Sequence, residues 1–155
     1  MNIENIREGG FLITKIQQLS QRILAKMLKE NDIHDISAAQ GRVLFPLWIE
    51  DDISFQDLKQ KTLLSKATLS YMLDQLEEAS QIKRIRSNDD KRIINIKLTK
   101  MDEDLKRKFF QVSNQMKNIF YKDFTEQEID DFEEYLEKVL ENLTNYRDKN
   151  KPTKV

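Results

Sequence analysis

One stretch of this chain keeps a different rhythm from the rest. In IKRIRSNDDKRIINIKL, residues 82–98, Ile94, Ile96 and Leu98 alternate with Ile93, Asn95 and Lys97. A period of two with isoleucine enrichment specifies extended strand. Ser87-Asn88-Asp89-Asp90 is turn chemistry, so Ile82–Arg86 and Ile93–Leu98 are expected to pair as a hairpin. Almost everywhere else the apolar residues recur at spacings of three and four, which specifies helix. Three glycines and two prolines in 155 residues are too few for a loop-rich or all-β fold. The expected fold class is mainly α with one small β-hairpin.

The helical pattern divides at readable caps. Leu12, Ile13, Ile16, Leu19, Ile23, Leu24, Met27 and Leu28 form one stripe on a first helix from about Asn5 to Glu30. Ser37 suits the N-cap of a second helix carrying Val43, Leu44 and Leu47. Pro46 should kink or end that helix nearby. Asp51-Asp52 reads as a turn and Ile53 as one short strand. Ser54 caps a third helix with Phe55 and Leu58 turned inward. Thr62-Leu63-Leu64 breaks it, and Ser65 caps a fourth helix with Leu69, Met72, Leu73 and Leu76 on one face. Two short helices across a tight turn read as a helix-turn-helix. After the hairpin, Thr99 is expected to cap a fifth helix with Leu105, Phe109, Val112, Met116 and Ile119. Thr125 with Glu128 forms a capping box for a sixth, striped by Ile129, Phe132, Leu136, Val139, Leu140 and Leu143. The last residues, KNKPTKV, read as a polar, frayed tail.

Composition narrows the chemistry. No cysteine is present, which excludes disulfides, thiolate metal sites and thiol redox sensing within this chain. With one histidine, His34, a histidine-rich metal site or a Ser-His-Asp hydrolase is not expected. His34 itself reads as an ordinary loop residue. Carboxylate pairs such as Glu133-Glu134 sit at helix-surface spacing without a nucleophile, so no enzyme, metal or cofactor is expected. The longest apolar run, Val43–Ile49, is far short of the ~20 residues that cross a bilayer. MNIENIREGG lacks the apolar core of a signal peptide, so the expectation is a cytosolic protein without a membrane partner.

The net charge of −1 hides a strong segregation. Residues 80–100 hold seven basic and two acidic side chains, a balance of +5. Residues 101–148 hold seven basic and thirteen acidic ones, a balance of −6. Local potential, and not the total, decides whether a polyanion is attracted.

The order of helices, helix-turn-helix, basic hairpin and two long terminal helices resembles the MarR family of bacterial winged-helix transcription regulators. The matching stretches are ISAAQGRVLFPLW and SFQDLKQKTLLSKATLSYMLDQLEEASQIKRIRSNDDKRIINIKLT. Gln40, Leu44, Leu58, Ser65, Thr68, Leu69, Leu76, Ile82, Arg84, the Asp90-Lys91-Arg92 triplet and Leu98-Thr99 carry the likeness. The family often has glycine where Ser80-Gln81 stands, glycine where Asp102 stands, and a basic residue where Tyr71 stands. The resemblance implies a winged helix-turn-helix flanked by long dimerisation helices. It also implies a recognition helix in the major groove and a wing in the minor groove.

The residues fit that division. A groove of ~12 Å admits one helix. With the leucines of the fourth helix buried, Ala67, Ser70, Tyr71 and Asp74 project from the opposite side, with Lys66 on the flank. Its first turns meet base edges, so Lys66, Ala67, Ser70 and Tyr71 are candidates for reading DNA. Ser65 and Thr68 can meet phosphate. Arg92 at the hairpin tip can enter the minor groove, with Asp90 orienting its guanidinium. Arg84, Arg86, Asn88 and Lys91 complete the expected DNA-binding set.

The winged segment, residues 37–100, cannot cover the stripes of residues 1–36 and 101–148, with 149–155 as a tail. Pairing two chains about a two-fold axis would cover them. Leu12, Ile16, Leu19, Phe109, Val112, Met116, Phe132, Leu136, Val139 and Leu143 are the expected homodimer interface, and the resemblance implies that the first, fifth and sixth helices intertwine. The expected function is a homodimeric, sequence-specific regulator, a repressor, on a palindromic double-stranded DNA operator. By the same resemblance, a small anionic aromatic effector can release the DNA, with Phe45 and Trp48 either lining its cleft or filling the core. A winged-helix interaction module that binds an acidic protein in place of DNA is the second reading.

Overall fold

The computed structural model describes residues 6–99 and 103–151. In chain order the elements are α1 (Gly9–Glu30), α2 (Ala38–Ile49), β1 (Ile53–Ser54), α3 (Phe55–Thr62), α4 (Lys66–Glu78), β2 (Ile82–Arg86), β3 (Ile94–Leu98), α5 (Glu103–Phe120) and α6 (Glu126–Lys149). They form two compact units, Met1–Met116 and Lys117–Val155. No helix among the described residues is long and apolar enough to cross a membrane.

Local chemistry sets the helix starts. Ser37 Oγ accepts the Gln40 amide at 3.1 Å while Gln40 Oε1 accepts the Ser37 amide at 2.9 Å, a closed capping box. Ser54 and Ser65 each accept the backbone N–H three residues on, at 3.1 Å. Thr125 and Glu128 repeat the reciprocal box at the start of α6. The α2 helix runs through Pro46 and stops three residues later at Ile49, so the proline ends it without expelling it. Leu63, at φ 54°, makes the left-handed turn between α3 and α4.

Thr99 and Ile93 each close a local hydrogen bond at an end of β3. The Thr99 hydroxyl donates to the Ser80 carbonyl, and its amide donates to the Gln81 carbonyl at 3.1 Å; the cap expected of it for α5 involves residues 100–102, which lie outside the described residues. That side chain ties the end of β3 to the start of β2; α5 is described from Glu103 onward. Ile93 is not the first residue of the strand. Its N–H donates to Asp90 O and its carbonyl accepts from Ser87 N, both at 2.9 Å, so it closes the turn. The terminal positions 1–5 and 152–155 lie outside the described residues, with the expectations made for them.

The sheet has the antiparallel order β1-β3-β2. Ile53 pairs with Ile96, and Ile82, Arg84 and Arg86 pair with Leu98, Ile96 and Ile94. The α2–β1 turn pins the centre strand: Asp51 Oδ1 accepts the Leu98 amide at 2.8 Å, and Asn95 Nδ2 donates to Asp52 Oδ1 at 3.1 Å.

The core of the first unit draws on nearly every one of its elements. Leu28, Val43, Leu44, Leu47, Ile53, Leu58, Leu69, Leu73, Leu76, Ile82 and Ile96 are buried, as are Ile33 and Ile36 from the loop before α2. The first part of α5 joins them through Leu105, Phe109 and Val112. Phe109 and Val112 therefore leave the expected dimer interface, because both are already buried within one chain. Phe109 lies edge-on to Trp48, centroids 4.7 Å apart, and over Gly41. A Cβ on Gly41 would sit 2.6 Å from the Phe109 ring, so the glycine permits the approach of α2 and α5. Gly41→Val is expected to destabilise by at least about 2 kcal/mol through overpacking, read by thermal or urea melting. An unchanged midpoint would mean the ring moves aside freely.

The end of α4 is a Schellman turn: Gln81 N–H reaches Leu76 O at 2.8 Å and Ser80 N–H reaches Glu77 O at 2.9 Å. Ser80 takes the left-handed position, φ 57°, where glycine carries no Cβ penalty. This is the place where MarR-like chains often have glycine. Ser80→Gly is expected to raise stability by about 0.5–1 kcal/mol, and a lower melting point would refute that.

The second unit has its own small aromatic cluster. Phe120, Tyr121, Phe124 and Phe132 meet with centroids 5.0 to 6.3 Å apart. The Tyr121 hydroxyl donates to Glu133 Oε1 at 2.6 Å. Phe132, placed beforehand in a dimer interface, spends much of its ring here. No residue of α6 is buried.

Candidate nucleic-acid interface

The fourth helix presents two faces of different chemistry. Leu69, Leu73 and Leu76 are fully buried, which turns Lys66, Ala67 and Tyr71 outward. At its first turn Ser65 Oγ accepts the Thr68 amide and donates to Thr68 Oγ1 at 2.8 Å. The Ser65 proton is committed to the cap, whereas the Thr68 hydroxyl keeps its own proton for another acceptor. Ser70 is half-buried, and its carbonyl accepts Arg84 Nη2 at 3.2 Å. The Tyr71 hydroxyl accepts Gln75 Nε2 at 3.1 Å.

Arg84, one of the expected DNA-binding set, is engaged within the fold. Its guanidinium donates to Asp74 Oδ1 at 2.6 Å and to Glu77 Oε2 at 3.2 Å, and its amide donates to Glu77 Oε1 at 3.1 Å. The side chain is 26% exposed. With two carboxylates and a carbonyl on one guanidinium, its charge is spent joining β2 to α4. Both carboxylates, Asp74 and Glu77, belong to α4. In the fold they set the angle between hairpin and helix. The pairs lie ten and seven residues apart, so no helical spacing signals them.

The hairpin tip keeps its cation free of the core. Arg92 Nε and Nη2 donate to the two oxygens of Asp90 at 3.1 Å each, and the Arg92 amide donates to Asp90 Oδ1 at 3.0 Å. The Arg92 side chain is nonetheless 92% exposed. This is a fork-to-fork clasp that orients a cation without burying it. The Arg92 guanidinium, and then its backbone N–H, hold the Asp90 carboxyl below the usual carboxylate range. A depressed carboxylate pKa stabilises the folded clasp above the ordinary value of ~3.9, and this contribution is lost as pH falls through the lowered one. The clasp is therefore expected to survive at pH 5 and to open only in stronger acid. Loss of the Arg92 Nε–H signal's dispersion already at pH 5 would contradict this.

Arg86, Asn88 and Lys91 are exposed around the same tip. Lys83 stands directly opposite Lys97 on the other face of the hairpin, a like-charge pair not foreseen as part of the site. Lys97 lies 3.9 Å from Asp52, which offsets part of that repulsion.

Tertiary folding brings these pieces to one place. A groove of about 620 Å³ between α3, α4 and the hairpin is lined by Phe55, Lys66, Ser70, Arg84, Arg92 and Ile94 among others. The helix cation and the hairpin cation thus share a wall. Phe45 and Trp48 lie elsewhere in this unit, on α2. Phe45 is half-exposed, and half-buried Trp48 rests on Phe109 and Phe110 with a buried Nε1 that has no partner among the described residues. Among the described residues no group of three metal-ligating side chains gathers, and His34 lies 3.8 Å from Asp32 in an exposed loop.

A recognition-type helix, a preceding helix at a tight turn, a three-stranded sheet and a basic hairpin beside them define a winged helix-turn-helix protein. The sequence model of the MarR family matches residues 36–94, the segment that builds this unit. The HTH-type transcriptional regulator SarZ of Staphylococcus haemolyticus is 25% identical over 127 residues, spanning 82% of this chain and 85% of its own. A mutant MarR from E. coli, solved in complex with operator DNA, aligns at a TM-score of 0.74 with 29% identity, covering 90% of this chain and 99% of that one. The PcaV transcriptional regulator from Streptomyces coelicolor, solved with its natural ligand, shares the fold at a TM-score of 0.76 and 17% identity, over 91% of this chain and 97% of that one. Residues 36–94 form a MarR-family winged-helix segment, and over most of its length the chain is similar to transcriptional regulators of that family.

Proposed function

We propose that two copies of this chain bind a palindromic operator as a repressor, each placing α4 in the major groove and the hairpin in the minor groove. One observation carries the reading: Lys66 and Arg92 line a single open groove, with Arg92 held outward by Asp90. Lys66, Ala67, Ser70 and Tyr71 face base edges in this account. Ser65, Thr68, Arg86, Asn88 and Lys91 position the backbone, and Arg84 acts through the hairpin angle.

Uncovered apolar faces support the homodimer. Leu12, Ile16 and Leu19 on α1 are exposed, as are Leu136, Val139 and Leu143 on α6, with Leu143 at 64%. Met116 is half-buried and Phe132 partly used, so both contribute less to this interface. Burial is worth ~25 cal/mol per Å² of apolar surface, which favours covering these faces by a second chain. A two-fold dimer reads half-sites ~34–36 Å apart. The unpartnered Trp48 Nε1 beside half-exposed Phe45 supports release by a small aromatic effector with a hydrogen-bond acceptor. No cofactor, metal or catalysis enters this account. The protein resides with its DNA in the cytoplasm.

Selection of duplexes from a random pool, followed by Arg92→Ala, tests the reading. The variant is expected to lose at least about tenfold in DNA affinity with its dimer mass and melting unchanged. Equal retention by both proteins would remove the hairpin from the interface.

A further inference from the structure

The reading face of α4 carries a hydrogen bond whose direction is set from outside that helix. This inference rests on the DNA-binding reading above. The Ser37 backbone amide can only donate, and it donates to Gln40 Oε1 at 2.9 Å. That assigns the Gln40 amide, whose Nε2 then donates to Gln75 Oε1 at 3.5 Å, the longest link. With Gln75 Oε1 so engaged, its Nε2 donates to the Tyr71 hydroxyl at 3.1 Å. Exchanging oxygen and nitrogen at either glutamine would set two donors or two acceptors face to face. The Tyr71 oxygen is therefore an acceptor inside the protein, and its proton has no acceptor among the described residues. The ring is 62% exposed, two turns into the helix at most from the cap at Ser65.

The geometry points to Tyr71 as a specificity-determining residue whose hydroxyl is held as a donor. It selects an acceptor in the major groove, such as guanine O6 or N7 or thymine O4, over the amino groups of cytosine and adenine. Gln75 and Gln40 are positioning residues: they touch no base and act by setting which way the hydroxyl proton faces.

The test uses duplexes that the wild-type protein enriches from a random pool, with scrambled duplexes as the comparison. Tyr71→Phe keeps the ring and removes the hydroxyl. It is expected to lose about tenfold on the enriched duplex and to bind the scrambled one unchanged. Gln75→Glu replaces the amide donor by a carboxylate that accepts from Tyr71, so the hydroxyl oxygen turns outward as an acceptor. Its preference is expected to move towards a cytosine or adenine amino group at one position of each half-site. The new carboxylate repels every duplex, so the readout is the ratio between sequences. Melting curves verify that both variants fold. Equal affinity of Tyr71→Phe and wild type for the enriched duplex overturns the inference and leaves DNA binding standing. Equal loss on both duplexes assigns the hydroxyl to phosphate and also overturns it. Failure of the wild type to enrich any sequence overturns the DNA-binding reading itself.

Discussion

Raising salt from 50 to 200 mM is expected to weaken binding to a selected duplex by roughly ten-thousand-fold. The magnitude follows from counterion release: about 0.9 of a condensed cation leaves B-form DNA for each phosphate a protein neutralises. Each subunit offers Lys66 and Arg92 in the groove and Arg86 and Lys91 on the hairpin as exposed cations, and Thr68 with the start of α4 as neutral donors. Two subunits meeting about eight phosphates give a slope near −7 in log affinity against log salt. Arg84 is left out of this count because Asp74 and Glu77 already neutralise it. The net charge of −1 does not oppose the prediction, since the acidic excess lies in residues 101–148. A titration by fluorescence anisotropy reads the slope directly. A shallow, weak response would favour the second reading, a hairpin that binds an acidic protein surface.

Truncation of Leu73 is expected to remove about 3–4 kcal/mol of stability, a loss large enough to unfold a marginal domain. Leu73 is wholly buried and sits in α4 among leucines contributed by α2 and α3. Leu73→Ala removes apolar contact and leaves a cavity that two helices and a sheet cannot collapse into. Tyr71 lies two residues earlier on the opposite face of the same helix and is exposed. Tyr71→Ala is expected to change stability by no more than about 0.5 kcal/mol while weakening selective DNA binding. Chemical denaturation of the two variants thus separates the face that holds the fold from the face that reads. Similar midpoints for both would mean the two faces are not divided as described.

Much of the scaffold could be read before any coordinates. Ser37, Ser54, Ser65 and Thr125 each accept the amide three residues on, as their positions ahead of an apolar stripe imply. The Asp90–Arg92 clasp spans two residues and was legible for the same reason: its partners are covalent near-neighbours. Phe109 and Val112 misled because a helical stripe says that a face is buried and not by what. Their face meets α2 of the same chain, where Gly41 leaves room for a ring.

The sequence alone determined the helices, the hairpin, their caps and the basic segment, because each rests on residues within about four positions or on a strict period. Tertiary structure decided which charges stay available. Arg84 and Arg92 look alike in the sequence, eight positions apart in one basic hairpin. Folding sets one against two carboxylates of α4 and leaves the other at the tip with a single neighbour that points it outward. The Gln40–Gln75 link, 35 residues apart, is of the same kind. Such pairings depend on how packed elements cross, and that depends on side-chain volumes throughout the core and not on any local pattern.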